Sequence, residues 1–488
     1  MHPIGIWASS SAWLERSPDK TEVRGSSPRW PTTQLKYEQI KFEAPMSQQM
    51  DKEIRTFISN HPKSKDMQAE ASKYLPGGSS RATAYFDPYP FFVDKTSGHH
   101  VYDVDGNSYL DFMLNATTYI VGHANPAVIE AVKAQADIGL SYSAPTEVQI
   151  ELAKMIVDRV PSVDKVRFTN SGTEGTLNAI RMARAFTSKP KFAKFEGGYH
   201  GNHEYVSVSV YTPMDKLDPN HTTAIPEWPG QPKSVVDDVI VLPYNDLEKC
   251  TEIITKNVDD LAAVIMEPVS SNFGYVAATP EFLQGIRDLT TQLGIVLIFD
   301  EVQSFRLSSG GAQEIFGVTP DVTTFGKIIG GGLPIGAWGG KEELMDLYDN
   351  EKGPVITHAG TFNANPSTMI AGLETLKQLT PDVFTRLNSL GDQIRQKINA
   401  VFGELEMPGQ ATGVGSLFGI HFSDEEITDY MSMLRGDQEL KSVLYTGLMN
   451  EGILTFARAQ GSVCTLTGDA EVDTLVDSVR NVLQRIKG

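Results

Sequence analysis

Apolar positions along the chain fall into short continuous runs, rich in β-branched residues, separated by stretches with helical spacing. Leu261–Glu267 reads LAAVIME and Ile295–Phe299 reads IVLIF. Runs of this length without polar alternation predict strands covered on both faces, the condition of a parallel sheet. Lys165–Thr169 and the segment before Gly197 predict two more strands. Ahead of these strands, Glu147–Val160 places Val148, Leu152, Met155 and Ile156 on one helical face. A long helix starts near Gly172, and another over Pro280–Leu293 leads back to the Ile295 run. The strand–helix–strand spacing repeats from Lys165 to Gly340, which predicts an α/β architecture: a mainly parallel central sheet with helices on both faces.

Outside that core the pattern changes. From Met67 a helix breaks at Pro76-Gly77 and runs into extended, aromatic-rich chain. DVDGNSYLD, Asp103–Asp111, carries an Asp-Gly turn between alternating segments and predicts a hairpin. Val206–Gln231 is a Pro-rich loop with little pattern. From Pro366 onward long helices alternate with strands such as Gly415–Phe422, a composition suited to a smaller α+β domain. Residues 1–45 are rich in Ser, Pro, Trp and charge, show no periodicity, and are expected to be a disordered extension. They lack the apolar region of a secretory signal, while Glu15, Asp19 and Glu22 argue against a transit peptide. Met46 is an alternative start.

With 488 residues, two lobes are expected rather than one compact body. The formal net charge of −19 opposes a nucleic-acid-binding surface. Two cysteines, Cys250 and Cys464, give no disulfide framework and fit a reducing, cytoplasmic setting. No apolar run approaches the length of a membrane span.

The candidate chemistry gathers at predicted strand ends. Asp300 and Glu301 follow the Ile295 run, at the sheet edge where open α/β folds bind ligands. Lys327 lies 27 residues after Asp300, in an apolar run that ends in the triple glycine Gly330–Gly332. An amine in such surroundings loses its proton more readily than one in water, and a neutral amine attacks a carbonyl to form a Schiff base. Taken singly, the Asp reads as a turn residue and the Lys as a solvated charge. The SGT at Ser171–Thr173 opens the long helix, where free N–H groups and hydroxyls suit a phosphate, although a plain N-cap has the same sequence. In GGYHG, Gly197–Gly201, the glycines permit close backbone approach and Tyr199 offers a flat ring; His200 assists or packs. Glu267 ends the LAAVIME strand before Pro268. No metal ligand set is assigned.

DEVQ at Asp300–Gln303, FGK at Phe325–Lys327 and GGGLPIGAWGG to Gly340 resemble the cofactor-binding core of the class III aminotransferases, fold-type I enzymes that use pyridoxal 5'-phosphate (PLP). The similarity runs from about Tyr74 to the C-terminus. It implies residues 46–115 as an N-terminal segment joining the small domain, 116–364 as a large PLP-binding domain and 365–488 as a C-terminal small domain. It also implies Lys327 as the Schiff-base lysine, Asp300 on the pyridine nitrogen, Tyr199 stacked on the ring and Ser171, Gly172 and Thr173 on the phosphate. His200, Glu267 and Gln303 are implied nearby, Gln303 at the ring hydroxyl. Thr361 in the THAGTFNANPSTM loop is implied to reach the partner subunit's phosphate, so that a homodimer shares its active sites.

The stretch around Arg81 is similar to that of β-amino-acid aminotransferases, in which a matching arginine grips the substrate carboxylate. A planar guanidinium suits that role. Arg458 is similar to an arginine that receives the acceptor's carboxylate. The expected activity is ping-pong transfer of an amino group from a β-amino acid or related amine to a 2-oxo acid. Glutamate-1-semialdehyde 2,1-aminomutase, suggested by the PGG segment and YNDLE at Tyr244–Glu248, is one alternative. An amine transaminase is another, and a non-catalytic relative of the fold is the third.

Overall fold

The computed structural model describes residues 48–488, so the reading of residues 1–45 and the alternative start at Met46 lie outside the described residues. The chain enters with helices Gln48–Asn60 and Pro62–Ala71. It then forms an antiparallel meander of β1 (Val93–Ser97), β2 (His100–Asp103) and β3 (Ser108–Asp111). The β2–β3 turn is the Asp-Gly hairpin the sequence predicts, with Gly106 at φ 95° supplying the left-handed conformation.

The central sheet takes β4 (Lys165–Thr169), β5 (Lys191–Phe195), β6 (Val239–Leu242) and β7 (Leu261–Met266). A short hairpin, β8 (Val269–Ser270) and β9 (Val276–Ala277), precedes its remaining strands, β10 (Val296–Asp300), β11 (Val322–Gly326) and β12 (Gly336–Gly340). The strand order is β4-β12-β11-β10-β7-β5-β6. All neighbours run parallel except around β12, which is antiparallel to both β11 and β4. The mainly parallel sheet is therefore as expected. Every residue of β7, β10, β11 and β12 is buried, which explains why these strands read as unbroken apolar or small-residue runs.

Helices follow the spacing. Glu147–Arg159 buries Leu152 and Ile156, and Val148 and Met155 pack partly buried beside them. Pro280–Leu293 starts with Pro at its first turn under a Thr279 cap and ends at Gly294 in the left-handed region. The loop that follows Gly201 is more structured than its composition suggests. Val206, Val208 and Val210 are buried, and Val208 bridges Pro226. The C-terminal region adds β13 (Gln410–Thr412), β14 (Leu417–His421), β15 (Ile453–Leu454) and β16 (Gln460–Ser462) among long helices. β15 pairs in parallel with β3, so the N-terminal meander and the C-terminal region share one sheet.

One close approach positions the site. Helix Gly172–Thr187 lies so near β12 that a Cβ on Gly175 would stand 2.8 Å from the Ala337 carbonyl oxygen. Only glycine allows that spacing. Gly175→Val is expected to destabilise the protein by about 1–3 kcal/mol through forced displacement of the helix. A thermal melt would read this as a lowered Tm, and an unchanged Tm would show that the helix can move without penalty.

Candidate active site

The C-terminal ends of β10 and β11 open into a cavity of about 710 Å³ bordered by Asp300, Gln303 and Lys327, together with Ser171–Thr173, Tyr199, His200 and Glu267. Arg81 also borders it. These positions span about 250 residues of sequence, and the sheet edge brings them together as parallel topology requires.

Asp300 is the last residue of β10 and is almost fully buried. His200 Nδ1 donates to its Oδ2 at 2.8 Å, and its Oδ1 accepts from Thr324 Oγ1 and the Val302 amide, both at 3.1 Å. The carboxylate is thereby held in one orientation. The other ring nitrogen of His200, Nε2, is buried without a hydrogen-bond partner.

Lys327 follows β11 directly and adopts φ 50°, an unusual left-handed conformation for a residue with a side chain. The turn aims the amine off the strand end, and no hydrogen bond or ion pair involves its Nζ among the described residues. Burial lowers its pKa from the ordinary lysine value. The carboxylates of Asp300 and Glu267 oppose that shift, and the Arg81 guanidinium adds to it. Glu267 is itself pushed up by burial, while hydrogen bonds from the Ser271 amide (3.2 Å) and hydroxyl (2.6 Å) favour its charged form.

Ser171 caps helix Gly172–Thr187, accepting from the Glu174 amide at 3.2 Å. Its hydroxyl is engaged in the plain N-cap role, and the first-turn amides remain the anion-binding feature of this helix end. Thr173 Oγ1 donates to Asn202 Oδ1 at 3.1 Å. Gly201, at φ 103°, sits where a Cβ would be 2.8 Å from Thr173 Cα, so the GGYHG turn presses on the helix start. Tyr199 keeps an accessible face toward the cavity, and Gln303 Oε1 accepts from Thr117 Oγ1 at 2.7 Å. An unpaired, proton-shedding amine, a fixed buried carboxylate, an accessible aromatic face and an anion-ready helix end suit a phosphorylated, aldehyde-bearing heteroaromatic group.

Two expected residues stand elsewhere. Thr361 lines a separate cavity of about 590 Å³ with Ser141–Thr146, and its loop meets the site through Asn363 Oδ1, which accepts from Asn170 Nδ2 at 3.1 Å. Arg458 does not border the Lys327 cavity. Its guanidinium donates to the Asn272 carbonyl at 2.7 Å and lies over the Tyr211 ring. Arg81 does reach the site, donating from Nη1 to Asn115 Oδ1 at 2.8 Å. Asn115, Thr117 and Thr324 were not legible as site residues. For Thr324 a signal existed, a pair of threonines inside an otherwise apolar strand running into Lys327.

Comparison with known proteins places this geometry. The family model described as aminotransferase class III matches residues 82–478. The chain is 40% identical over 435 residues, 88% of its length and 99% of the relative's, to a glutamate-1-semialdehyde 2,1-aminomutase of Bacillus subtilis (strain 168). The structure of an omega-transaminase from Sphaerobacter thermophilus superposes with a TM-score of 0.85 at 43% identity, covering 87% of this chain and 98% of that one. A β-phenylalanine aminotransferase from Variovorax paradoxus gives 0.82 at 32%, covering 90% and 97%.

The lowered pKa of Lys327 sets an expected pH response. The neutral amine is the form present above the folded-state pKa, so trapping of Lys327 by a small aldehyde and reductant should rise with pH through a midpoint below 10.5, the ordinary value. Asp300→Asn removes a charge that favours the ammonium form and should move the midpoint further down, whereas Arg81→Ala should move it up. Peptide mass spectrometry of the labelled lysine reads both shifts; equal midpoints in all three proteins would refute the electrostatic account.

Proposed function

The chain belongs to the class III aminotransferases, and we propose that within this family it moves an amino group from a β-amino acid with an apolar side chain to a 2-oxo acid. The observation that carries this reading is the position of Arg81. It borders the Lys327 cavity and also a neighbouring cavity of about 420 Å³ walled by Phe86, Phe91, Met113, Tyr445 and Leu454. A donor with a carboxylate on the guanidinium can direct its amine toward Lys327 and its apolar arm toward those side chains. A second reading, the aminomutase, is favoured by the extent of similarity to the Bacillus subtilis relative. The amine-transaminase alternative leaves Arg81 without a task.

The cofactor is pyridoxal 5'-phosphate. In this reading Lys327 would hold its carbonyl carbon, Asp300 its ring nitrogen, Tyr199 its ring face, Gln303 its hydroxyl and the amides of Gly172 and Thr173 its phosphate. When bound, the cofactor supplies an electron sink for the carbon that loses a proton. Asp300 is held in orientation by His200 and Thr324. Once the donor's amine has replaced it at that carbon, the freed Lys327 Nζ, its pKa lowered by burial, would be the base that takes the proton from the amine-bearing carbon of the donor. Glu267 braces the Tyr199 turn, its Oε2 accepting from the Tyr199 amide at 3.4 Å. Donor and acceptor use the same cavity in turn, so Arg81 meets a carboxylate in both halves of the cycle. Arg458 takes no part in this reading.

Thr361 acts on the partner's cofactor in a homodimer. The exposed side chains of Phe362, Ile138 and Leu140, beside the loop that carries it, support that assembly. The division of the chain into residues 116–364 and a smaller domain of 46–115 with 365–488 belongs to the same proposal and draws support from the β3–β15 pairing. A cytoplasmic setting is supported by two free, buried cysteines.

The test compares a β-amino acid with its decarboxylated amine, each with a 2-oxo acid acceptor. Arg81→Ala should lower kcat/KM for the β-amino acid by roughly 2 kcal/mol or more and change the amine far less. Equal use of both donors by the wild type would favour the amine transaminase, and acceptor-free isomerisation of glutamate 1-semialdehyde would favour the aminomutase. Lys327→Ala should abolish turnover with every donor; a variant that keeps full turnover would remove Lys327 from the reaction.

A further inference from the structure

A strained element stands beside the site. Leu114, Asn115, Ala116 and Thr117 have φ values of 50°, 48°, 58° and 69°. Four consecutive non-glycine residues in the left-handed region form a conformation that L-residues avoid as a run, and it persists only where its surroundings hold it. Three groups do so. Asp111 Oδ1 accepts from the Met113 and Leu114 amides, both at 2.8 Å. Asp111 Oδ2 in turn accepts from His123 Nε2 at 2.7 Å, with both side chains buried. At the far end the buried Arg306 donates from Nη1 to the Thr117 carbonyl at 3.1 Å.

What the turn presents are two side chains aimed in different directions. Asn115 Oδ1 accepts from Arg81 Nη1, and Thr117 Oγ1 donates to Gln303 Oε1. Asn115 borders both the Lys327 cavity and the apolar one, as Arg81 does, whereas Asp111 and His123 border only the apolar one. Arg81 is largely exposed in this chain, and a long exposed side chain samples many rotamers unless something fixes it. Asn115 is a neutral partner that orients the guanidinium without neutralising it, leaving its charge for a ligand.

We propose that the left-handed turn Leu114–Thr117 is a specificity-determining element, in which Asn115, backed by the Asp111–His123 pair, fixes Arg81 for a carboxylate-bearing donor. The inference rests on the reading of Arg81 as the carboxylate grip. Asn115, Asp111 and His123 are positioning residues: they act through Arg81, and ordering it beforehand lowers what the donor must supply on binding.

The experiment uses the PLP-loaded full-length protein and reads the ratio of kcat/KM for a β-amino acid to that for its decarboxylated amine. Arg81→Ala serves as the reference and should collapse the ratio. Asn115→Ala should lower it about tenfold, the scale of one lost hydrogen bond to a charged group, with the change mainly in KM of the β-amino acid. His123→Leu should act in the same direction, and His123→Gln, which returns an N–H to Asp111, should restore the ratio. If His123→Leu does not fold, Asn115→Ala carries the test alone. A ratio unchanged by Asn115→Ala while Arg81→Ala collapses it overturns this inference and leaves the proposed function standing. A ratio unchanged by Arg81→Ala overturns the carboxylate reading, and the inference with it.

Discussion

The site depends on keeping a carboxylate and an amine close inside one protein cavity without letting them pair. Asp300 is buried, yet its oxygens are occupied by His200, Thr324 and the Val302 amide. Lys327 stands in a strained conformation at the next strand's end, and among the described residues its amine has no hydrogen-bond or ion-pair partner. Had the two formed an ion pair, the lysine would be locked as an ammonium and could not act as nucleophile or base. Burial lowers its affinity for a proton, while Asp300 and Glu267 raise it, so the amine lies between these opposing effects. The hydrogen bonds that hold the Asp300 carboxylate in place are thus as much a part of the chemistry as the two reacting groups.

The fold supplies this separation through register. β10 and β11 run parallel, with Asp300 opposite Thr324, so Lys327 falls three residues beyond the level of the carboxylate. Gly326 ends β11, and the three-ten turn from Lys327 to Gly330 turns the chain away from the sheet. On the other side, helix Gly172–Thr187 is set against β12 by Gly175, which places its N-terminal amides at the same sheet edge. The anion-ready helix end and the amine belong to different elements fixed to one sheet, and neither depends on a long loop for its position.

Much of this was legible in the sequence, because buried parallel strands impose a strong pattern. Leu261–Met266, Val296–Asp300 and Lys165–Thr169 appear as strands within a residue of their expected ends, and Pro280–Leu293 matches its caps. Asp300, Lys327, Tyr199 and His200 converge as expected, since each follows a readable strand or glycine turn. The supporting residues were not legible for a physical reason. Asn115 and Thr117 sit in a left-handed turn whose sequence contains no glycine to announce it, and their partners Arg81 and Gln303 are 34 and 186 residues away. Arg458 has the type of an anion-binding residue, and in this chain its Nη1 donates to the carbonyl of Asn272. Residue type along the chain says what a side chain can bind, and only the fold says what reaches it first.

In the proposed function a carboxylate-bearing amine reacts at Lys327 in the cavity it shares with Asp300 and Arg81. The most direct measurement is a single half-reaction. PLP-loaded protein is mixed with one equivalent of a β-amino acid bearing an apolar side chain, without a 2-oxo acid, and the cofactor's visible absorbance and the organic product are followed together. The expected result is loss of the carbonyl-form band with release of one equivalent of the matching keto acid, reversed when a 2-oxo acid is added. An unchanged band with the β-amino acid, under conditions where a carboxylate-free amine converts the cofactor, would contradict it.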